Sequence, residues 1–406
     1  MTDNSCAKCG ACTSVCPIYQ VSGQEAFTAR GRLHLLEKIT DDKRSQTYLD
    51  IFSKCLLCGA CHKACPRNIN IVNKVVENRR NFPNSSGNGS LARSMVKGCL
   101  SHEVILASIG KLLKISTPLI NKLPMASGLR LKLGLPPTAS HQIISGPEKT
   151  NLEQSHQDSS PDLMLFPGCF ARHLNPEIIS STSKLLSDKT SLIPALPAAQ
   201  SCCGLAFYSS GDIEKARQLA RLNIAAFDDT TLPIVVLCGS CYSHLKDYPD
   251  LLADDPEYHS KSITFSERLQ EMSSYLADQL IPSDNAKDEY HKSGTKRVIY
   301  HDPCHLRFSH ELKESPRQLL NNLPGIKLIE LPDGPRCCGF GGLFNLSHPD
   351  ISEKIAGKLV QEIMTINPDL LVTTCSGCLI QIQQQLALSG SKTKVYHLAQ
   401  ILSDLE

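Results

Sequence analysis

The sequence predicts an α+β multidomain chain: a mostly helical N-terminal domain, then two duplicated α/β cysteine-rich units with mostly parallel sheets. Three observations lead there. Eight of the 19 cysteines fall in two runs of identical spacing within the first 66 residues. Ten more recur in register, as two sets of five, across the second half. Within each of those sets, apolar strand-like runs alternate with helical patterns, the signature of strand–helix–strand units.

The first run is Cys6, Cys9, Cys12 and Cys16, closed by Pro17; the second is Cys55, Cys58, Cys61 and Cys65, closed by Pro66. This Cys-x2-Cys-x2-Cys-x3-Cys-Pro spacing binds [4Fe–4S] clusters in bacterial-type ferredoxins, where the fourth cysteine ligates the other cluster. That pattern assigns Cys6, Cys9, Cys12 and Cys65 to one cluster, and Cys55, Cys58, Cys61 and Cys16 to a second. Zinc takes four ligands, usually in two separated pairs, and fits two such runs poorly. Between the runs, Glu25 to Phe52 carries apolar residues at 33, 35, 36 and 39, a helical stripe. Ile69 to Arg80 also reads as helix, broken by the polar segment 81–89. These features place a ferredoxin-type domain at 1–90.

Residues 91–135 form a basic helical segment. From 93 to 134 it holds Lys or Arg at 93, 97, 111, 114, 122, 130 and 132 against the single acid Glu103, and Pro118 and Pro124 cut it short. Such a stretch either lies on an anionic surface or partner, or packs as an ordinary helical layer with its lysines facing water. Cys99 stands alone there and reads as a buried small hydrophobe. Residues 136–162 are polar and rich in proline and serine, a linker, and a second polar stretch runs from 282 to 296.

The repeat follows, with units expected at 163–281 and 297–406. Each opens on a strand-like run, Leu163–Phe166 or Arg297–Tyr300. Cys169, Cys202, Cys203, Cys238 and Cys241 in the first copy answer to Cys304, Cys337, Cys338, Cys375 and Cys378 in the second, at offsets of 135 or 137 residues. An internal duplication explains this register. The closing Cys-x2-Cys of each copy follows an apolar strand, Ile234–Leu237 or Leu370–Val372. Helical patterns at 212–227 and 352–366 precede those strands, with Asp212 and Ser347 as expected helix-start residues. Open α/β sheets gather ligands beyond strand C-termini, so each copy should bring five cysteines to one mouth. An iron–sulfur cluster would use all five thiols, zinc would leave one over, and a thiol–disulfide catalyst would use the Cys-x2-Cys alone.

Composition narrows the classes. The 42 basic and 40 acidic residues nearly balance and give no basis for a nucleic-acid partner. The polar Met1–Asn4 leaves no room for a signal sequence before Cys6, so the thiols read as reduced ligands in a cytoplasmic protein. No apolar run is long enough to span a bilayer. No GxGxxG follows a strand at the start of a βαβ unit, so a cofactor supplying hydride or substrate chemistry has to come from a partner. The glycines of Cys337-Cys338-Gly339-Phe340-Gly341-Gly342 read as letting backbone approach a cluster. His62, Arg67 and His397 read as surface or core residues, and Lys8, Lys54 and Lys63 as solvated side chains near the clusters.

Tandem Cys…Cys-Cys-Gly…Cys-x2-Cys units behind a two-cluster ferredoxin domain resemble the glycolate oxidase iron–sulfur subunit family. Anaerobic glycerol-3-phosphate dehydrogenase and heterodisulfide reductase share these cysteine-rich (CCG) units. The resemblance covers nearly the whole chain. It implies two [4Fe–4S] clusters in the ferredoxin domain and, by analogy with heterodisulfide reductase, a noncubane [4Fe–4S] cluster on each five-cysteine set. It further implies an electron-transfer subunit beside an FAD-containing 2-hydroxy-acid dehydrogenase, passing electrons to a quinone or membrane acceptor at the inner face of the cytoplasmic membrane. Both five-cysteine sets are complete, which opens an alternative: a catalytic subunit reducing a disulfide or quinone at these sites. His305 and His301 are the candidate proton donors there, or else donate hydrogen bonds to sulfur. A zinc scaffold is the third reading.

Overall fold

The computed structural model describes residues 6–40, 44–82, 90–101, 105, 107–108, 160–281 and 296–404. The linker expected at 136–162 and the polar stretch from 282 fall almost wholly outside these residues, as does most of the basic segment. The N-terminal part is helical. Short helices at Ala11–Ser14 and Ala60–Lys63 carry the cysteine runs, and Ala29–Lys38, Gln46–Ser53 and Ile71–Asn81 surround them. The proline closing the first run takes the first position of helix Pro17–Ser22, where a missing N–H costs nothing. Thr28, Ser45 and Asn70 each cap the following helix, accepting from the backbone N–H of Gly31, Tyr48 and Asn73. The segment expected as a helical insert is thus two capped helices.

The second half contains two four-stranded, all-parallel sheets. The first is formed by β1 (Leu163–Phe166), β2 (Pro194–Ala195), β3 (Ile234–Val236) and β4 (Leu269–Glu271), in the order β2-β1-β3-β4. The second, of β5 (Lys296–Tyr300), β6 (Ile326–Ile329), β7 (Leu370–Thr373) and β8 (Lys394–His397), repeats that order as β6-β5-β7-β8. The central strands β3 and β7 are buried throughout, as parallel strands covered on both faces must be. In both sheets the strand order reverses between the first and third strands, and the crevice beyond their carboxyl ends is where such sheets bind ligands.

The two units clasp each other. The first unit's helix Glu177–Thr190 packs on the second unit's Leu398–Asp404, and Met272–Leu280 packs reciprocally on Glu314–Asn321. One apolar core runs through both sheets and into the N-terminal helices, from Phe52 and Val75 to Leu237 and Leu371.

Three expectations need correction. Helix Pro349–Ile366 starts at its proline, and Ser347 instead ends the short helix Phe344–Ser347, with its hydroxyl turned back onto the Leu343 carbonyl. Cys99 lies in helix Ser90–Ser101 and is only half-buried. The described start of the basic segment docks on the repeat: Lys97 pairs with Asp212 at 3.4 Å, and Arg93 donates to Ser347. Asp212 does precede helix Ile213–Ala226, although its side chain makes no capping bond.

Glu271, at the end of β4, accepts hydrogen bonds from the backbone of Ser273 and Ser274 and from the Ser273 hydroxyl, while only 2% exposed. Burial raises its pKa from 4.5 to about 7 despite these donors. A carboxyl raised in the folded state favours folding below its unfolded pKa, and that contribution is lost as pH rises through the folded value. Glu271→Gln keeps an acceptor for the helix and removes the charge. Chemical denaturation should show the variant gaining on the parent between pH 4.5 and 7, by up to ~3 kcal/mol. A difference independent of pH would refute this.

Candidate metal centres

All 19 cysteines are free thiols. In the N-terminal part, Gly10 and Gly59 take φ of +84° and +80°, turning the backbone so that each run curls back on itself. Cys6, Cys9, Cys12 and Cys65 line one cavity together with Cys61, Arg30 and Arg67. Cys9 is exposed. On the inner side, Cys61 faces Cys58, Cys55 and Cys16, and burial followed by the charge of these neighbours pushes its pKa up strongly. Cys61 thus borders both groups of thiols.

Two buried arginines hold this inner loop. Arg32 donates to the carbonyls of Phe27, Ile51 and Lys54. Arg79 donates to Phe52, Ser53 and Cys55, and to Ser209 of the first unit. Backbone passes close by: a Cβ on Gly211 would sit 2.5 Å from Arg79 C and Arg80 N. Lys54 pairs with Asp50, and Lys63 with Glu311 of the second unit, so neither is simply solvated.

In each unit the five cysteines leave the carboxyl ends of the first and third strands and the loop between. The glycine of each Cys-Cys-Gly turn is required by geometry. Gly339 has φ of +82°, and a Cβ there would lie 2.6 Å from the Ser352 carbonyl oxygen; Gly204, at +90°, does the same work in the first unit. The thiols touch in series. Cys202 receives hydrogen bonds from Cys169 and Cys203, which pull its pKa well down, and Cys338 is lowered likewise by Cys337 and Cys378. The Cys338–Cys378 Sγ–Sγ distance is 3.3 Å, far from a bonded disulfide.

The sets also meet one another. Cys238 is lowered by hydrogen bonds from Cys241 and from Cys375 of the other unit. Ser240 sits on this junction, with its Oγ 3.1 Å from Cys375 Sγ and 3.0 Å from His305 Nδ1. His305 also engages the Leu57 backbone in the inner ferredoxin loop, so it bolts three parts of the molecule together. Burial lowers its pKa. Cys304, pushed up to about 12 by burial and then by Cys338 and Cys375, also raises Cys58 across the interface. In the inner ferredoxin set and the two five-cysteine sets, burial and neighbouring thiols push Cys16, Cys58, Cys61, Cys169, Cys203, Cys241, Cys304, Cys337, Cys375 and Cys378 up, so most of these thiols resist ionisation. A cationic centre reverses that balance, and the soft donor set suits iron and sulfide.

His301 lies beside Cys338 and Cys378, with the three donor atoms within 4.8 Å of one another. His397 is core, its Nε2 2.9 Å from the Leu237 carbonyl of the other unit. Two further residues join the site that the cysteine motifs do not single out. Ser240 shows itself only when the loops meet. His244, three residues after Cys241 and so on the same helical face, is 2% exposed; burial takes its pKa to about 4, and the Cys202 charge opposes this.

The family described as "4Fe-4S dicluster domain" matches residues 3–69, and "Cysteine-rich domain" matches residues 163–246 and 298–383. The probable glycolate oxidase iron-sulfur subunit of Bacillus subtilis is 28% identical over 98% of this chain and 93% of its own length. Lactate utilization protein A of a Geobacillus species is 33% identical over 51% of this chain and 84% of its own length. The chain belongs to the glycolate oxidase iron–sulfur subunit family. The Escherichia coli glycolate oxidase iron-sulfur subunit, at 26% identity over 98% of the chain, shares this full-length match. A crystal structure of a hypothetical protein from Helicobacter pylori superposes over 97% of the chain and 71% of its own, with a TM-score of 0.55 at 12% identity, a likeness of fold. As a member of this family, the chain is an iron–sulfur protein of electron transfer. No helix among the described residues is long and apolar enough to cross a membrane.

Proposed function

We propose that the chain is the electron-transfer subunit of a flavin-dependent 2-hydroxy-acid dehydrogenase of glycolate or lactate type, carrying electrons from an FAD-containing partner to a quinone or other respiratory acceptor. Iron–sulfur clusters would supply one-electron carriers at these sites. Cys6, Cys9, Cys12 and Cys65 hold one [4Fe–4S] group, and Cys16, Cys55, Cys58 and Cys61 a second. Each five-cysteine set holds a further one, and the ferredoxin-type domain spans 1–90 with the units at 163–281 and 297–406.

The carrying observation is that the thiol sets lie in series through the fold. The set containing Cys9 reaches the surface. The next set meets the second unit where Cys58 faces Cys304, and the second unit meets the first where Cys375 faces Cys238. The protein's own residues keep this line dry and fixed: Arg32 and Arg79 anchor the inner loop, and Ser240 with His305 locks the three-way junction. The alternative, reduction of a disulfide at the five-cysteine sets, has less support, because only Cys169, Cys304 and Cys337 of the ten thiols are partly exposed. Cys203, Cys238, Cys338, Cys375 and Cys378 are each no more than 5% exposed.

Protein purified without oxygen should carry about 16 irons and as many labile sulfides, four clusters of four. It should capture a flavoprotein from its native extract and, alone, fail to oxidise glycolate or lactate with an artificial acceptor. About 8 irons would confine the carriers to the N-terminal domain. Oxidation by the chain alone would overturn the subunit role.

A further inference from the structure

The duplication makes every position of one unit a control for the other, and at the metal sites the two copies differ. Position 301, at the end of β5, is histidine; its counterpart at the same offset from the first cysteine of the set is Phe166, at the end of β1. Both are buried, His301 at 2% and Phe166 at 0%. A phenyl ring there needs nothing beyond packing. The imidazole does: its ring hydrogen-bonds the Cys338 sulfur, while its Nδ1 is buried without a hydrogen-bond partner, and a buried polar atom left unpaired calls for an explanation.

The backbone around His301 is fixed. Its N–H donates to the Val372 carbonyl at 2.8 Å, and its own carbonyl accepts from Thr373 Oγ1 at 3.1 Å. With β5 pinned against β7, the ring lies beside Cys338 and Cys378, the three donor atoms within 4.8 Å of one another. Among the described residues, this set gathers three soft or borderline donors at one point, in a pocket closed to water.

We propose that His301 supplies a nitrogen donor to the iron centre of the second unit, so that the two repeated sites are chemically unequal: all-thiolate in the first unit, mixed nitrogen and sulfur in the second. This inference rests on the reading of that unit as an iron–sulfur site. An imidazole bound at an iron position that a thiolate holds in the first unit would leave the second centre less negative and raise its reduction potential. The second unit is the one that meets Cys58 of the ferredoxin-type loop. A higher potential there makes it the favoured resting place for an electron arriving from the N-terminal sets.

The test is electron–nuclear double resonance on the full chain, loaded and poised where the second unit's centre is paramagnetic, with and without 15N-histidine. A directly bound imidazole gives a strong nitrogen coupling that changes with the isotope; a hydrogen-bonded one gives a coupling several-fold weaker. The strong coupling should vanish in His301→Phe, which installs the first unit's residue, and in His301→Gln, which retains polarity. One midpoint potential should move to more negative values in both. A strong coupling that survives both substitutions, or only a weak coupling in the parent, overturns the inference while leaving the site reading intact. Should either variant fail to load iron, the isotope experiment on the parent decides. Undiminished iron in a Cys378→Ala chain, or zinc in place of iron, overturns the reading of the site and the inference with it.

Discussion

Replacing Arg79 by methionine will destabilise the chain by about 3–5 kcal/mol and loosen the N-terminal domain from the repeat. Methionine matches much of the volume and none of the hydrogen bonding. Arg79 is 7% exposed, and its guanidinium donates to four backbone carbonyls, those of Phe52, Ser53, Cys55 and Ser209. Burial lowers its pKa to about 10, yet it stays charged at neutral pH. Each buried carbonyl left without a donor costs roughly 1–3 kcal/mol, partly recovered as water enters and backbone relaxes. Three of the four carbonyls precede or belong to the second cysteine run, and the fourth belongs to the first unit. The damage therefore falls on the loop that presents Cys55 and on its seat. Thermal melting should show an earlier transition, and limited proteolysis should release an N-terminal fragment. A variant that melts with the parent would mean that the hydrogen bonds contribute little beyond volume.

Cys304→Ala will separate the N-terminal thiol sets from the repeat. This thiol faces Cys58 on one side and Cys338 and Cys375 on the other, so it belongs to the second unit's set and also borders the ferredoxin-type loop. Losing a group that merely supports a metal ligand costs ~10–100-fold in affinity or activity. Losing the ligand itself should cut electron delivery to the terminal acceptor by at least ~100-fold. The iron content should fall, while the N-terminal sets remain reducible by an artificial donor. Cys99→Ala, at a half-buried cysteine outside every set, is the matched control and should behave as the parent. Retention of full electron delivery by Cys304→Ala would remove this contact from the path.

Much of this architecture is legible in the sequence because its chemistry is local. Three-corner wrapping of a metal group demands close cysteines, so the two runs announce themselves by spacing. The duplication is visible because ligand positions resist insertion between them. What stays hidden depends on apposition. Ser240 is an ordinary residue within Cys-x2-Cys until the neighbouring loop brings Cys375 and His305 to within 3.1 Å. Likewise Lys97 reads as a solvated base until helix Ser90–Ser101 lies against Asp212. Ser347 misleads for another reason: Pro349 has its φ preset for a helix and starts one without a capping hydroxyl, so the serine is free to bond backwards.

The reciprocal clasp between the units has a consequence for how freely they can diverge. Two separate copies of one unit, joined through these same helices, would form a two-fold dimer, and every residue at its centre would be present twice. A serine between the loops would face a second serine, and a histidine on one side would require another opposite. Covalent linkage lifts that constraint. Position 240 is serine while its counterpart, 377, is glycine; His305 answers to Phe170 and His301 to Phe166. Each half is therefore free to specialise at the shared centre without imposing the same change on its twin. Neither can now be exchanged for a copy of the other: a chain with two first halves would lack the histidine that bolts the junction, and one with two second halves would lack the serine it grips.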